Sequence, residues 1–277
     1  MSGVSPIVTR FAPSPNGPLH LGHAYSAIVA HDLAKESGGA FLLRIEDIDG
    51  PRSKPEFADA FRRDLEWLGL EWDEVPAQSS RLIQYEQAAN DLRTQGLLYP
   101  CSCTRKELAA LPDRIAEDGT RYPGQCHHAF EARKATGADG DLAWRINIDA
   151  ARAAVGALTW EDAHAGETTA DPRAFGDVVI VRKDLPASYH LAVTHDDAQD
   201  GVTLVTRGMD LFASTHIHRV LQALLNLPVP RWYHHPLILD DRGEKLAKRK
   251  GSPALGERRK SGEDGLAIAD RLRATQI

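Results

Sequence analysis

Residues 10–23 read RFAPSPNGPLHLGH, and this stretch decides the fold. The short run PIVTRF (6–11) before it has the composition of a strand. The Pro- and Gly-rich loop that follows breaks regular structure. From Ala24 to Lys35 the pattern is helical, with Ile28, Val29 and Leu33 as apolar positions, and Gly38-Gly39 ends it. A strand feeding a loop that opens a helix makes an anion site, because a helix N-terminus presents unpaired N–H groups and partial positive charge. His20 and His23 are three apart and share one face of the first turn. Each can donate a hydrogen bond to phosphate oxygens during displacement at phosphorus. The plainer use of such histidines is capping or core packing; a pair at this spacing after a Gly/Pro loop favours the phosphate. Gly22 lets a nucleotide approach the backbone closely.

Outward from this segment, AFLLRIEDID (40–49) reads as a second strand with acids at its C-terminal end. Pro55 to Leu68 carries Phe57, Phe61, Leu65 and Leu68 at helical spacing, and another helix is expected over 80–95. Strand–loop–helix–strand–helix predicts an α/β fold with a doubly wound, Rossmann-like parallel sheet. From 100 to 165 the periodicity breaks, which reads as an insertion between two halves of that domain. Three β-rich runs follow, at 177–182, 189–195 and 202–206. A helix is expected in MDLFASTHIHRVLQALLNL (209–227), a short strand in PLILD (236–240), and a terminal helix in GEDGLAIADRLRATQI (262–277). The expected division is 1–100 for the first half of the catalytic domain, 101–165 for the insertion and 166–228 for the second half. Residues 229–277 form a basic loop with a C-terminal helical region.

Bulk properties narrow the function. The chain has 277 residues, 42% hydrophobic and 26% charged, enough for a globular core. No apolar run approaches the roughly 18–20 residues of a membrane span. The N-terminus lacks a signal-peptide h-region, so a cytoplasmic location is expected. Net charge is −6, which argues against nucleic-acid binding by bulk electrostatics. An RNA partner would need a local basic face. Lys245, Lys248, Arg249, Lys250, Arg258, Arg259 and Lys260 offer one, or else form a solvated loop. The three cysteines, Cys101, Cys103 and Cys126, are an odd count, which argues against a disulfide framework. Their C-x-C spacing with a third thiol downstream suits zinc. The fourth ligand stays open between Tyr122, His127 and His128, with histidine favoured on chemistry alone.

RFAPSPNGPLHLGH resembles the signature of the glutamyl class I aminoacyl-tRNA synthetases, with HLGH standing for their HIGH motif. RIEDID (44–49) is similar to their second element, and KLAKRK (245–250) to their KMSKS loop, with Ala247 and Arg249 in place of the usual serines. The resemblance implies glutamate contacts from Arg10, Phe11, Ala12, Pro13, Ser14, Glu46, Tyr189 and Arg207. It implies ATP contacts from His20, Gly22, His23, Lys245 and Lys248, with His20, His23 and Lys248 as the catalytic set. An arginine fork suits a carboxylate, and Glu46 suits an ammonium. A short group within the family also carries C-x-C…Y-x3-C, which implies a structural Zn2+ on Cys101, Cys103, Tyr122 and Cys126, and Mg2+ entering with ATP.

Only 27 residues follow Lys250, leaving no room for an anticodon-binding domain. Resemblance to the family's short branch implies a monomer that activates L-glutamate with ATP. It further implies transfer to the queuosine base of tRNA(Asp), with no membrane partner. The competing expectations are a truncated enzyme charging the 3′ end of tRNA(Glu), and a non-catalytic RNA-binding module on the same fold.

Overall fold

The structure is a computed structural model, and it describes residues 6–109, 122, 126–127, 142–238 and 253–275. Strand β1 (Val8–Phe11) leads through the loop into α1 (Leu21–Glu36), then β2 (Ala40–Leu43), α2 (Pro55–Trp67) and β3 (Asp73–Glu74). β1 and β2 pair in parallel from Val8↔Ala40 to Phe11↔Leu43, and β3 adds in parallel beyond β2. The α1 helix stops at a left-handed glycine, Gly38 (φ 68°), whose N–H bonds the Lys35 carbonyl. Gly39 tolerates no side chain, since a Cβ there would lie 2.0 Å from the Ile7 carbonyl oxygen.

The middle of the chain supplies α3 (Leu82–Thr94), β4 (Leu98–Cys101), α4 (Arg105–Ala109), β5 (Ala143–Ile146) and α5 (Ile148–Val155). After these come β6 (Thr159–Asp162), β7 (Gly166–Thr169), β8 (Val179–Val181) and α6 (Tyr189–Gln199). The last part holds β9 (Leu204–Gly208), α7 (Ser214–Leu224), β10 (Arg231–His235), α8 (Leu255–Lys260) and α9 (Gly265–Ala274). β9 and β10 are parallel, β6 joins β10 in parallel, and β7 closes the edge antiparallel. β4, β5 and β8 form a separate antiparallel sheet.

The two parallel groups meet at β1 and β9. The Thr203 N–H donates to the Val8 carbonyl at 2.9 Å, and the Val8 N–H donates to Thr203 Oγ1 at 2.9 Å. The chain runs outward from β1 to β3 on one side and from β9 to β10 on the other. The switch point lies between β1 and β9, where open α/β sheets bind ligands at the strand C-termini. One apolar core packs α1, α2 and α9 against β1 and β2. A second packs α3, α5, α6 and α7 against β5 and β8.

Two expectations are corrected. Residues 189–195 are the start of helix α6, not a strand. α6 buries Leu191, Ala192, Val193, Thr194, Asp196 and Asp197 together, so no polar face marks a helical period. Of the strand expected in PLILD, residues 236–238 are not strand and 239–240 lie outside the described residues; the strand precedes them, at Arg231–His235. Of the basic run, Lys245, Lys248, Arg249 and Lys250 lie outside the described residues; in α8, Arg258 pairs with Glu263 at 3.0 Å and Arg259 with Asp64 at 3.4 Å. Among the described residues no helix is long and apolar enough to cross a membrane.

Candidate active site

A cleft of about 640 Å³ opens at the C-terminal ends of β1 and β9. It brings together Arg10, Phe11, Ala12, Pro13, Ser14, Glu46, Tyr189 and Arg207, and also His20, Gly22 and His23. Lys245 and Lys248 lie outside the described residues. Ser26, Gly208, Asp210 and His235 line the same cleft and were not singled out from sequence. Gly208 ends β9 beside the switch point and Asp210 follows in a short 3-10 turn, which is the signal that would have found them.

The loop after β1 keeps its shape by continuing the β1–β2 ladder past both strands. Arg44 N–H donates to the Phe11 carbonyl at 3.1 Å, and Glu46 N–H to the Pro13 carbonyl at 3.1 Å. Residues 12–14 and Glu46 thereby face one space from opposite sides.

At the start of α1 the histidines do two things at once. His20 is the N-cap, and its Nδ1 accepts the Gly22 N–H at 3.1 Å. The His23 Nδ1 accepts the His20 N–H at 3.1 Å. With both Nδ1 atoms accepting, each neutral ring carries its proton on Nε2. The His23 and Ala24 N–H groups bond the His20 carbonyl. The open N–H groups expected at this helix end are thus engaged for residues 22–24. The positive end of the α1 dipole still faces the cleft. A Cβ at Gly22 would stand 3.0 Å from His20 Cε1 and crowd that ring.

Beneath the cleft lies a buried charge network. Arg10 binds Asp197 through Nε (2.9 Å) and Nη2 (3.3 Å), and the Thr206 carbonyl through Nη1 (3.0 Å). Two of its five N–H hydrogens remain for a ligand. Arg44, fully buried, reaches Asp197 (2.9 Å), Asp200 (3.0 Å) and Glu46 (3.3 Å). Burial works against ionising Asp197, yet Arg10 and Arg44 hold its carboxyl below the usual range. Glu46 shares Arg44 with three aspartates, and burial pushes its carboxyl up to about 7.

Arg207 is the contrasting case. It is buried, and among the described residues no carboxylate lies within ion-pair distance of it. Its Nε donates to His234 Nε2 (3.1 Å), Nη2 to Thr215 Oγ1 (2.5 Å), and Nη1 to His218 Nδ1 (3.3 Å) and the Tyr189 hydroxyl (3.4 Å). His234 passes its own Nδ1–H to Asp162 Oδ2 at 2.7 Å. Burial and the Arg207 charge press His234 down to about 4 and His218 well below its ordinary value, so both rings are neutral. A buried cation among neutral acceptors is a receptor for an anion.

Residues 6–272 match the family described as tRNA synthetases class I (E and Q), catalytic domain. The chain belongs to that family. It is 47% identical to a glutamyl-Q tRNA(Asp) synthetase of Rhodobacter capsulatus, covering 92% of this chain and 96% of that one. A glutamyl-Q tRNA(Asp) synthetase of Symbiobacterium thermophilum is 42% identical, covering 95% of this chain and 84% of its own. A glutamate tRNA ligase from Elizabethkingia meningosepticum, solved in complex with its amino acid, superposes with a TM-score of 0.69 at 26% identity. That match covers 90% of this chain and 54% of the ligase, so the chain spans about half the length of that synthetase.

Away from the cleft, the Cys101, Cys103 and Cys126 Sγ atoms lie within 4.8 Å of one another. Tetrahedral zinc with Zn–S bonds of about 2.3 Å needs sulfurs about 3.8 Å apart, so the set fits a metal. The Tyr122 hydroxyl sits among them, 3.8 Å from Cys101 and 3.7 Å from Cys103. His127 Nε2 is instead met by Asn147 Nδ2 at 2.9 Å, and His128 lies outside the described residues. Arg145 donates from Nε to Cys101 Sγ at 3.3 Å and stacks 3.9 Å over the Tyr122 ring.

Proposed function

We propose that this chain activates L-glutamate with ATP to glutamyl-adenylate and transfers the glutamyl group to the queuosine base in the anticodon loop of tRNA(Asp). The observation that carries the glutamate reading is Arg207, a buried guanidinium with only neutral partners, facing the same cleft as Glu46. One end of the ligand supplies an anion and the other a cation, as an amino acid with an acidic side chain does. The queuosine acceptor rests on the names of the relatives that match over most of both chains.

In this reading Arg207 and Arg10 take the carboxylates, Glu46 takes the ammonium, and Phe11, Ala12, Pro13, Ser14 and Tyr189 wall the pocket. His20 and His23 donate from Nε2 to ATP phosphate oxygens as charge shifts toward the leaving pyrophosphate. Gly22 keeps the His20 ring in place, and Lys245 and Lys248 add positive charge at the triphosphate. The α-carboxylate attacks the α-phosphorus in line, and little proton transfer is needed; positioning and charge neutralisation dominate. Mg2+ accompanies ATP and screens its phosphates. Cys101, Cys103, Tyr122 and Cys126 hold a structural Zn2+ in the insertion at 101–165, and the active unit is a monomer.

The test is ATP–pyrophosphate exchange across amino acids without tRNA, followed by transfer of labelled glutamate to tRNA(Asp) with and without queuosine. Exchange with glutamate and transfer only to the queuosine form are expected. Product on queuosine-free tRNA(Glu) would favour 3′-end charging. Absent exchange in a folded, metal-loaded chain would favour a non-catalytic RNA-binding module.

A further inference from the structure

Arg207 sits between two chains of groups that begin on different elements. Through Nε it reaches His234 on β10 and then Asp162 on β6. Through Nη1 it reaches His218 on α7, whose Nε2 lies 3.2 Å from His190 Nδ1 on α6. Arginine has no acceptor, so every ring nitrogen facing it must accept. That fixes the tautomers: His218 carries its proton on Nε2 and passes it toward His190. The Asp162 carboxylate is one imidazole removed, and its charge is shared with the His164, Ala165 and His234 N–H groups.

Resting on the glutamate reading above, we infer that His218 is a positioning residue that sets the preference for a carboxylate over a carboxamide side chain. It accepts a hydrogen bond from Arg207 without neutralising it. A glutamine or asparagine in its place would accept equally. A carboxylate would accept and also cancel the charge, removing the reason for the ligand to bring its own. An aliphatic side chain would leave one buried guanidinium N–H unmet and free the fork to turn. His218 is buried and fills its space, so its neutrality is a property of the fold and not of the solvent.

The experiment measures glutamate and glutamine binding to the full chain by titration calorimetry without ATP, in wild type and in His218→Gln, His218→Leu and His218→Glu. Wild type is expected to prefer glutamate at least about 100-fold, since a site built for one hydrogen-bonding pattern rejects its isostere strongly. His218→Gln should bind glutamate within about threefold of wild type, and His218→Leu at least about tenfold more weakly. His218→Glu should reduce the preference to below about tenfold. An undiminished preference in a folded His218→Glu chain would overturn the inference. If that chain does not fold, the two uncharged variants decide, and equal glutamate binding by Gln and Leu would overturn it. Binding is read without catalysis, so absent exchange in wild type would overturn the activation reading while leaving these ratios readable.

Discussion

His23 and His20 brace each other across the first turn of α1: the His23 Nδ1 accepts the His20 backbone N–H at 3.1 Å, with ring centroids 3.9 Å apart. Capping uses the Nδ1 edge of both rings, and in the proposed reading phosphate binding uses the opposite edge. Replacing His20 by alanine removes both, with about 1 kcal/mol lost from the cap and exchange lowered roughly 10²–10³-fold. His20→Asn separates them, because an asparagine oxygen caps the Gly22 N–H but reaches no phosphate. Urea melts should show His20→Asn near wild-type stability while exchange stays as low as in His20→Ala. Recovered exchange would remove the ring from the chemistry.

Glu46 gives a pH signature. Its folded carboxyl is raised from 4.5 to about 7. The unfolded chain ionises first, so this group's stabilising contribution is complete below about pH 4.5 and is lost as pH rises through about 7. Binding runs the other way, because an ammonium needs the ionised carboxylate. The KM for glutamate should fall about tenfold per unit as pH rises toward 7 and flatten above it. Steady-state exchange across this range, compared with Glu46→Gln, is the check; the same break in Glu46→Gln would assign it elsewhere.

Asp197 is the hinge of the buried charges, since Arg10 and Arg44 both bind it at 2.9 Å. Asp197→Ala takes the carboxylate from Arg10, leaves Arg44 with Asp200 and Glu46, and should cost about 3–5 kcal/mol of stability in equilibrium denaturation, the scale of breaking a buried pair. Glutamate KM should rise as Arg10 loses its orientation. A loss under about 1 kcal/mol would mean that water or Glu46 replaces the carboxylate.

The cysteines do not line the cleft. If they hold the proposed Zn2+, Cys101→Ala should lower zinc content and the thermal midpoint by several degrees, while glutamate exchange at 25 °C stays within about threefold. Metal analysis, scanning calorimetry and exchange on one preparation settle it. Loss of exchange with the fold intact would give the metal a role in the reaction.

The sequence made the β1–loop–α1 unit readable because strand, loop and helix are contiguous there, and the chemistry sits on the punctuation itself. Arg10, Glu46 and Arg207 were nameable from residue type and strand ends. Their supporting groups were not. Asp197 lies on a helix whose polar residues are buried, so its run reads as a strand. Asp162, Thr215, His218 and His234 come from three separate elements, β6, α7 and β10, and meet only at Arg207 or one ring away from it. No local pattern encodes such a meeting. Tyr122 was separable from His127 only by resemblance; in the structure Asn147 holds the histidine ring, and the tyrosine hydroxyl lies among the sulfurs.

The bond between Arg10 and Asp197 spans 187 positions of chain. On the ribosome, the signature loop emerges long before the carboxylate that orients its arginine. Until α6 has been synthesised and docked, Arg10 and Arg44 have no Asp197 to bind, and the pocket has one wall. A chain that ends before α6 therefore lacks the carboxylate that orients Arg10, and with it the Tyr189 and Arg207 side of the cleft.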